Sequence, residues 1–104
     1  MGYKVFVDDN FHYMDADERT FDGEYPDEAS ALAACRRIVD DCLNEAYKPG
    51  MSATDLWQGY VAFGEDPFIV PIKAAPAVKF SAWDYARQRC AELCAQPANG
   101  SSAK

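Results

Sequence analysis

The chain has 104 residues, of which 49% are hydrophobic and 26% are charged, with a formal net charge of −7. Length and composition are typical of one globular domain and exclude an intrinsically disordered chain. Residues 1–28 carry nine acidic and two basic side chains, whereas residues 29–104 carry eight of each, so clustered basic residues for binding nucleic acid or anionic membrane are absent.

The first 25 residues predict an antiparallel hairpin. Residues 3–8 alternate as a strand does, with apolar side chains at every second position. Asp9 and Asn10 are turn-forming residues, and a second strand is predicted over Arg19–Tyr25. Gly23 indicates a bulge in that strand or its end. The two strands therefore flank an acidic loop.

Three helices and a third strand are predicted in the rest of the chain. A long helix covers Asp27–Tyr47; a second begins at the capping sequence Ser52–Asp55 and ends at Phe63; a third covers Ala82–Ala95. The apolar run PFIVPI (67–72) predicts a strand, and its two prolines favour an edge position. The side chains predicted to face the core are Leu32, Cys35, Val39, Cys42, Leu43 and Ala46 in the first helix, Leu56, Tyr60 and Phe63 in the second, and Trp83, Ala86, Cys90, Leu93 and Cys94 in the third.

The element order ββααβα predicts an α+β fold, with a small antiparallel or mixed three-stranded sheet and helices packed on one face. Residues 1–95 are predicted to form the single domain, and residues 96–104 a disordered C-terminal tail. No apolar run approaches the ~20 residues that cross a bilayer. The N-terminus lacks the basic start and apolar stretch of a signal peptide, so we expect a soluble, cytoplasmic protein.

Four cysteines, in pairs spaced Cys35-x6-Cys42 and Cys90-x3-Cys94, could suggest a zinc site or a disulfide. Zinc knuckles use C-x2–4-C on tight turns, whereas these residues lie within helical stripes. Packing in the core is the favoured interpretation, and a cytoplasmic location disfavours a disulfide. A nucleophilic cysteine would need a base, and His12, the only histidine, is predicted in a loop.

The stretch VFVDDNFHYMDADE (5–18) could present an imidazole and several carboxylates to a divalent ion. It does not follow an EF-hand, and charge runs of this kind are usually solvated surface. Both interpretations stay open, with the surface loop favoured. The candidate metal ligands are Asp8, Asp9, His12, Asp15 and Asp17.

Apolar side chains in excess of what one small domain can bury indicate an interaction surface. The candidates are Trp57, Val61, Phe68 and Ile69. A protein-interaction or regulatory module is therefore the first prediction. Its expected partner is a protein with a basic surface, and its expected oligomeric state is a monomer or a weak homodimer. A metal- or small-ligand-binding protein that uses the acidic, His-containing hairpin loop is the alternative. An enzyme of unknown class ranks third, and no motif predicts a cofactor.

Four pieces of the chain, VFVDDNFHYMD, EASALAACRRIVDDCL, FGEDPF and FSAWDYA, together resemble a small family of conserved bacterial proteins without an assigned function. The resemblance extends to about Leu93 and implies a genuine folded domain. It implies no activity, substrate or catalytic residue. Asp8–His12 is the most unusual string within these pieces, so a site is to be sought there first.

Overall fold

The computed structural model describes residues 2–10 and 19–95. Its elements follow the predicted order ββααβα and form an α+β fold. The predicted tail, residues 96–104, lies outside the described residues. The elements are β1 (Gly2–Asp9), β2 (Thr20–Tyr25), α1 (Glu28–Ala46), α2 (Ala53–Phe63), β3 (Glu65–Ile72) and α3 (Ala82–Ala95).

The three strands form one antiparallel sheet in the order β2-β1-β3, so β1 lies in the middle. This position agrees with the apolar character of β1 on both faces. β3 joins the hairpin and lies at an edge, as its prolines predict. Pro67 and Pro71 have no N–H to donate, and an edge strand tolerates this loss.

A bulge in β2 turns an acidic side chain toward α1. Val5 lies opposite Gly23 and Phe6 opposite Phe21, which leaves Asp22 as the extra residue. The Asp22 carboxylate accepts a hydrogen bond from the Tyr25 hydroxyl (2.6 Å) and lies 3.5 Å from the guanidinium of Arg37 in α1. The bulge that Gly23 predicted is therefore confirmed, and it ties β2 to α1.

The helices pack on one face of the sheet, and two groups of buried side chains hold them there. The first group lies between α1 and the sheet: Tyr3, Val5, Ala31, Cys35, Ile38 and Ala75. The second lies among the three helices: Val39, Leu43, Leu56, Tyr60, Ala82, Ala86 and Cys90. Because α1 contributes to both groups, it buries a face wider than one stripe.

The predicted inner face of α1 was wrong in part, because the helix buries a wider face than the predicted stripe. Ala31, Ala34 and Ile38 are buried although the predicted stripe omitted them, and Ala46 is exposed although the stripe included it. Ala31 packs in the group between α1 and the sheet, where a small side chain allows the helix to approach closely. A single helical stripe describes contact with one partner, whereas α1 contacts two layers.

Each helix is preceded by an N-cap residue whose side chain accepts a hydrogen bond from the backbone N–H three residues later. This N–H lies in the first turn and has no hydrogen-bond partner within the helix. The second and third helices start as their capping sequences predict, and α1 starts one residue later than predicted because Asp27 is its N-cap. The pairs are Asp27 with Ser30 (2.8 Å), Ser52 with Asp55 (3.0 Å) and Ser81 with Asp84 (3.2 Å).

A polar link joins α1 to α3 beside the core. The Asp40 carboxylate accepts hydrogen bonds from the Tyr85 hydroxyl (2.8 Å) and from Nε of Arg89 (2.9 Å). All three side chains are partly shielded from water. Charge-assisted bonds of this kind fix the orientation of one helix on another.

The end of α2 differs from the prediction. Phe63 is 69% exposed, so its assignment to the inner face was wrong. The helix ends at this residue, and the Gly64 N–H donates to the Tyr60 carbonyl (2.7 Å) as the chain turns into β3. Tyr60 itself is buried and its hydroxyl donates to the Glu65 carbonyl (2.6 Å), so it occupies the inner position.

Among the described residues, no helix is both long enough and apolar enough to cross a membrane.

Gly64→Ala is expected to destabilise the fold strongly. A Cβ at this position would lie 2.7 Å from the Tyr60 carbonyl oxygen and would also overlap the Tyr60 ring. Overpacking of this kind should lower the free energy of unfolding by about 1–3 kcal/mol. Urea denaturation of the variant and the wild type measures this difference. Gly59→Ala is the matched control, since Gly59 lies in α2 and a Cβ there meets nothing within 4 Å. The control should stabilise by about 0.5–1 kcal/mol, and equal effects of the two substitutions would contradict the packing described for Gly64.

Candidate functional site

The four predicted interaction residues do not form one surface. Phe68 and Ile69 are neighbours in β3 and therefore lie on opposite faces of the sheet. Ile69 packs against the buried group beneath α1, whereas the ring of Phe68 stacks on Phe6, with centroids 5.8 Å apart. Trp57 and Val61 lie on α2, where both are half-buried.

Trp57 is held within an aromatic cluster between α2 and α3. Its ring stacks on Tyr60 (6.0 Å) and meets Trp83 edge-on (5.8 Å). The guanidinium of Arg87 lies 4.9 Å from the ring centroid of Trp57. Such contacts stabilise the packing of the two helices, so most of this side chain is committed to the fold.

The sheet surface opposite the helices carries a group of aromatic rings. We call this surface, made of Phe6, Phe21, Phe68 and Val70, the outer face. Phe6 contacts Phe21 (5.4 Å) as well as Phe68. Phe21 is 51% exposed and Val70 is 38% exposed. The three rings lie side by side across all three strands, because the register places Phe6 opposite both others.

Charged side chains of both signs surround the outer face. Arg19 binds the Asp8 carboxylate through two nitrogens (2.7 and 3.2 Å), and its guanidinium lies 4.9 Å from the ring centroid of Phe68. Lys4 lies directly opposite Glu24 in the register of β1 and β2. Asp66, opposite Asp8, adds a third carboxylate on the same face, so two basic and three acidic side chains surround the rings and nearly balance, although the whole chain carries −7.

Two of the predicted metal ligands, Asp8 and Asp9, end β1. As successive strand residues they lie on opposite faces of the sheet, so they cannot bind one ion together without a change of backbone. The remaining candidates, His12, Asp15 and Asp17, lie outside the described residues. Within residues 2–10 and 19–95, no three His, Cys, Asp or Glu side chains are grouped to hold a metal ion. The metal site in the acidic loop stays a prediction.

The register brings like charges together at this end of the sheet. Asp8 lies opposite Asp66, and Asp9 lies opposite Glu65. Burial and the nearby Asp8 raise the pKa of Asp66, although the nearby Trp83 indole acts in the opposite direction. Burial, together with Asp9 and Glu45, also raises the pKa of Glu65. Directly opposed like charges destabilise a sheet.

Beside these carboxylates lies a cleft of about 530 Å³, lined by Asn10, Val61, Asp66 and Trp83 among the described residues. Asn10 is the buried polar residue of this wall, with 7% of its surface exposed. Its side-chain Nδ2 donates to the Tyr60 carbonyl (2.8 Å), and its backbone N–H donates to the Gly64 carbonyl (2.9 Å). Its Oδ1 is buried and has no hydrogen-bond partner among the described residues.

Sequence reasoning identified this cleft only in part. Asn10 falls in the unusual string at Asp8–His12, and its chemistry was read as that of a turn. Val61 was assigned to an interaction surface. Trp83 is predicted from the sequence only as a core side chain of the third helix, and nothing in the local pattern indicates Asp66, because its proximity to Asn10 depends on the pairing of β1 with β3.

All four cysteines are free thiols. Cys35 and Cys90 are buried in the two core groups, in agreement with the predicted role in packing, and Cys42 and Cys94 are half-buried. Burial raises the pKa of Cys35 to about 12 and that of Cys90 to about 11. An activated nucleophile requires a lowered pKa, so these two thiols lack the environment for nucleophilic catalysis.

The chain was compared with known proteins, and it matches no family model, no curated protein and no solved structure. The resemblance to a small bacterial family therefore stays a prediction.

The buried thiols should react slowly with iodoacetamide in the folded protein at pH 7.5. Cys35 and Cys90 are expected to be alkylated at least about 100-fold more slowly than in urea, because burial restricts access and suppresses the thiolate. Peptide mass spectrometry over time gives the rate at each site, with the half-buried Cys42 and Cys94 as internal controls. Rapid alkylation of either buried thiol would contradict the packing.

Asp66→Asn should raise the melting temperature at pH 7 by about 2–4 °C. Since folding raises the pKa of this carboxyl, its ionisation opposes folding, and stability falls as pH increases above its unfolded value of about 3.9. The difference between the variant and the wild type should therefore vanish near pH 3. Asp41→Asn removes a charge from an exposed position of α1 and serves as the control in thermal melts. A destabilised Asp66→Asn protein at pH 7 would show that the carboxylate is stabilising.

Proposed function

We propose that this protein is a small protein-interaction module and that its outer face binds a second copy of the chain. The observation that carries the proposal is the group of adjoining rings of Phe6, Phe21 and Phe68 on the sheet surface opposite the helices. Phe21 exposes half of its surface there. Exposed, contiguous apolar side chains rimmed by polar groups are typical of interaction sites.

The charges of the chain favour a second copy as the partner. A twofold contact places the same surface on both sides, so each charge needs an opposite charge on the identical face. The rim supplies both signs: Lys4 and Arg19 against Asp8, Glu24 and Asp66. Two chains of −7 repel one another at most orientations, and the outer face, where basic and acidic side chains nearly balance, is where that repulsion is weakest.

The geometry of a sheet also suits this contact. Two sheets pack face to face with their strands within about 30° of each other, and their side chains interdigitate. Three aromatic rings and Val70 across three strands supply a central apolar patch for such packing. The small size of the patch favours a weak, reversible dimer with a dissociation constant in the micromolar range or above.

The same proposal places the protein in the cytoplasm. Four free thiols in a small domain fit a reducing compartment, since small domains in oxidising compartments usually pair their cysteines. A reversible contact there suits a regulatory role, in which the amount of dimer follows the concentration of the chain. A partner protein with a basic surface stays the alternative for the acidic end of the molecule.

Sedimentation equilibrium between about 10 μM and 1 mM tests the proposal, and the apparent mass should rise toward twice the monomer mass. Added NaCl should strengthen the dimer, because it screens the repulsion between two acidic chains. Phe21→Ser should weaken dimerisation at least about tenfold, since the ring lies within the apolar centre of the contact.

Phe63→Ser is the matched control, because it removes a more exposed ring at the end of α2 that lies near Asp8 but outside the group of Phe6, Phe21 and Phe68. Its dimerisation should equal that of the wild type. A monomer at every concentration and salt level would overturn the proposal, and so would equal effects of the two substitutions.

A further inference from the structure

We propose that the cleft beside Asn10 binds a small organic cation, with its ammonium group between Asn10 and Asp66 and its apolar part against Trp83 and Val61. This inference concerns the edge of the sheet and the ends of α2 and α3. Asp66 lies opposite Asp8 at the rim of the outer face, so the Phe21→Ser variant below is used to separate this site from the proposed dimer.

The first step is the orientation of the Asn10 amide. The Tyr60 carbonyl can only accept a hydrogen bond, so the atom 2.8 Å from it must be the NH₂ group of Asn10. The backbone N–H of the same residue is bound to the Gly64 carbonyl. Both contacts fix the side chain against the turn between α2 and β3, and Oδ1 is the acceptor that is left over.

The second step is the need of that acceptor for a donor. Oδ1 is buried and is bound by no group of the described residues. The great majority of buried polar atoms in proteins have a partner, and an exception calls for an explanation such as a ligand. Because Asn10 lines the cleft, a donor can approach from that side. Since Oδ1 has almost no accessible surface, a small rotation of the Asn10 amide toward the cleft has to accompany binding of the donor.

The third step is the charge of the donor. Asp66 lines the same cleft, half-buried, with Asp8 opposite it and the pair of Asp9 and Glu65 one position along the ladder. A carboxylate in this setting is more costly to ionise than one in water. A positive group beside Asp66 would offset both the burial and the repulsion, whereas an anion would add to them. An ammonium group therefore fits better than a neutral hydroxyl.

The fourth step is the rest of the ligand. Trp83 and Val61 supply an aromatic and an aliphatic wall beside Asp66. A volume of about 530 Å³ lies in the range of small-molecule sites, which are mostly apolar with a few polar groups that fix orientation. The ligand should thus be an amine with a compact apolar or aromatic body.

A divalent metal ion fits the same atoms poorly. Ca²⁺ takes six to eight oxygen ligands, and Mg²⁺ requires an octahedral arrangement. The cleft presents one amide oxygen and one carboxylate, and the described part of the chain holds no group of three acidic, histidine or cysteine side chains suited to a metal. An amine needs only two or three acceptors.

The experiment titrates three probes of similar shape and different charge into the ¹⁵N-labelled full chain: phenethylamine, 2-phenylethanol and 3-phenylpropanoate. Phenethylamine should give saturable shifts of the Trp83 indole N–H and the Asn10 amide resonances, with a dissociation constant between about 10 μM and 1 mM. The alcohol should bind at least tenfold more weakly, and the carboxylate should not bind. The Phe21→Ser variant should bind phenethylamine as the wild type does, which separates this site from the dimer contact.

Asp66→Asn should weaken phenethylamine binding at least tenfold, since it removes the charge from the cleft. A cooperative thermal melt of the Asp66→Asn protein shows that this variant is folded. Asp41→Asn removes the same charge from an exposed position and should bind like the wild type. The proposal is overturned if the three probes bind equally, if Asp66→Asn and Asp41→Asn behave alike, or if no probe shifts these resonances at 10 mM.

Discussion

The pairing of β1 with β3 is the contact on which the rest of the structure depends. It joins segments separated by two helices, and it extends over the full length of both strands, from Gly2 opposite Ile72 to Asp9 opposite Glu65. A slip of one residue would exchange the two faces of β3. Ile69 would then leave the core and Phe68 would enter it. The register thus decides which side chains lie beneath α1 and which lie on the outer face.

The same register concentrates unfavourable charge at one end of the sheet. The buried contacts of Val5, Ile69 and Pro67 fix the alignment, and Asp8 and Asp66 must then face one another. Strand pairing elsewhere supplies the free energy that keeps these carboxylates together. Sites of binding are commonly places where a fold tolerates such a local cost, because a ligand can relieve it.

Much of the architecture could be predicted from the sequence because its signals are local. The capping residues Ser52 and Ser81 define helix starts within three residues of chain, and Gly23 marks the bulge. The alternation of Tyr3, Val5 and Val7 identifies a half-buried strand. Each of these features depends only on neighbours in the sequence, so the order of elements and the edge position of β3 followed correctly.

What the sequence could not supply depends on contacts between distant segments. The two buried sides of α1 require knowledge that this helix contacts the sheet on one side and α2 and α3 on the other, so the sheet-side residues Ala31 and Ile38 were missed. The position of Phe63 depends on how the chain turns at Gly64. The cleft depends on both, since Asn10 is held by two carbonyls from the end of α2 and Asp66 is placed by the β1–β3 ladder.

The central position of β1 also bears on how the chain folds while it is being made. β2 follows β1 closely and can pair within microseconds of its synthesis. The strand that completes the sheet, β3, is about 60 residues further along, which takes roughly 3–12 s at ribosomal rates. During this interval β1 has one unpaired edge and an incomplete apolar cover. The nine acidic side chains of residues 1–28 then repel the same segment of neighbouring nascent chains. The uneven charge thus opposes aggregation through the free edge of β1 until β3 has been synthesised.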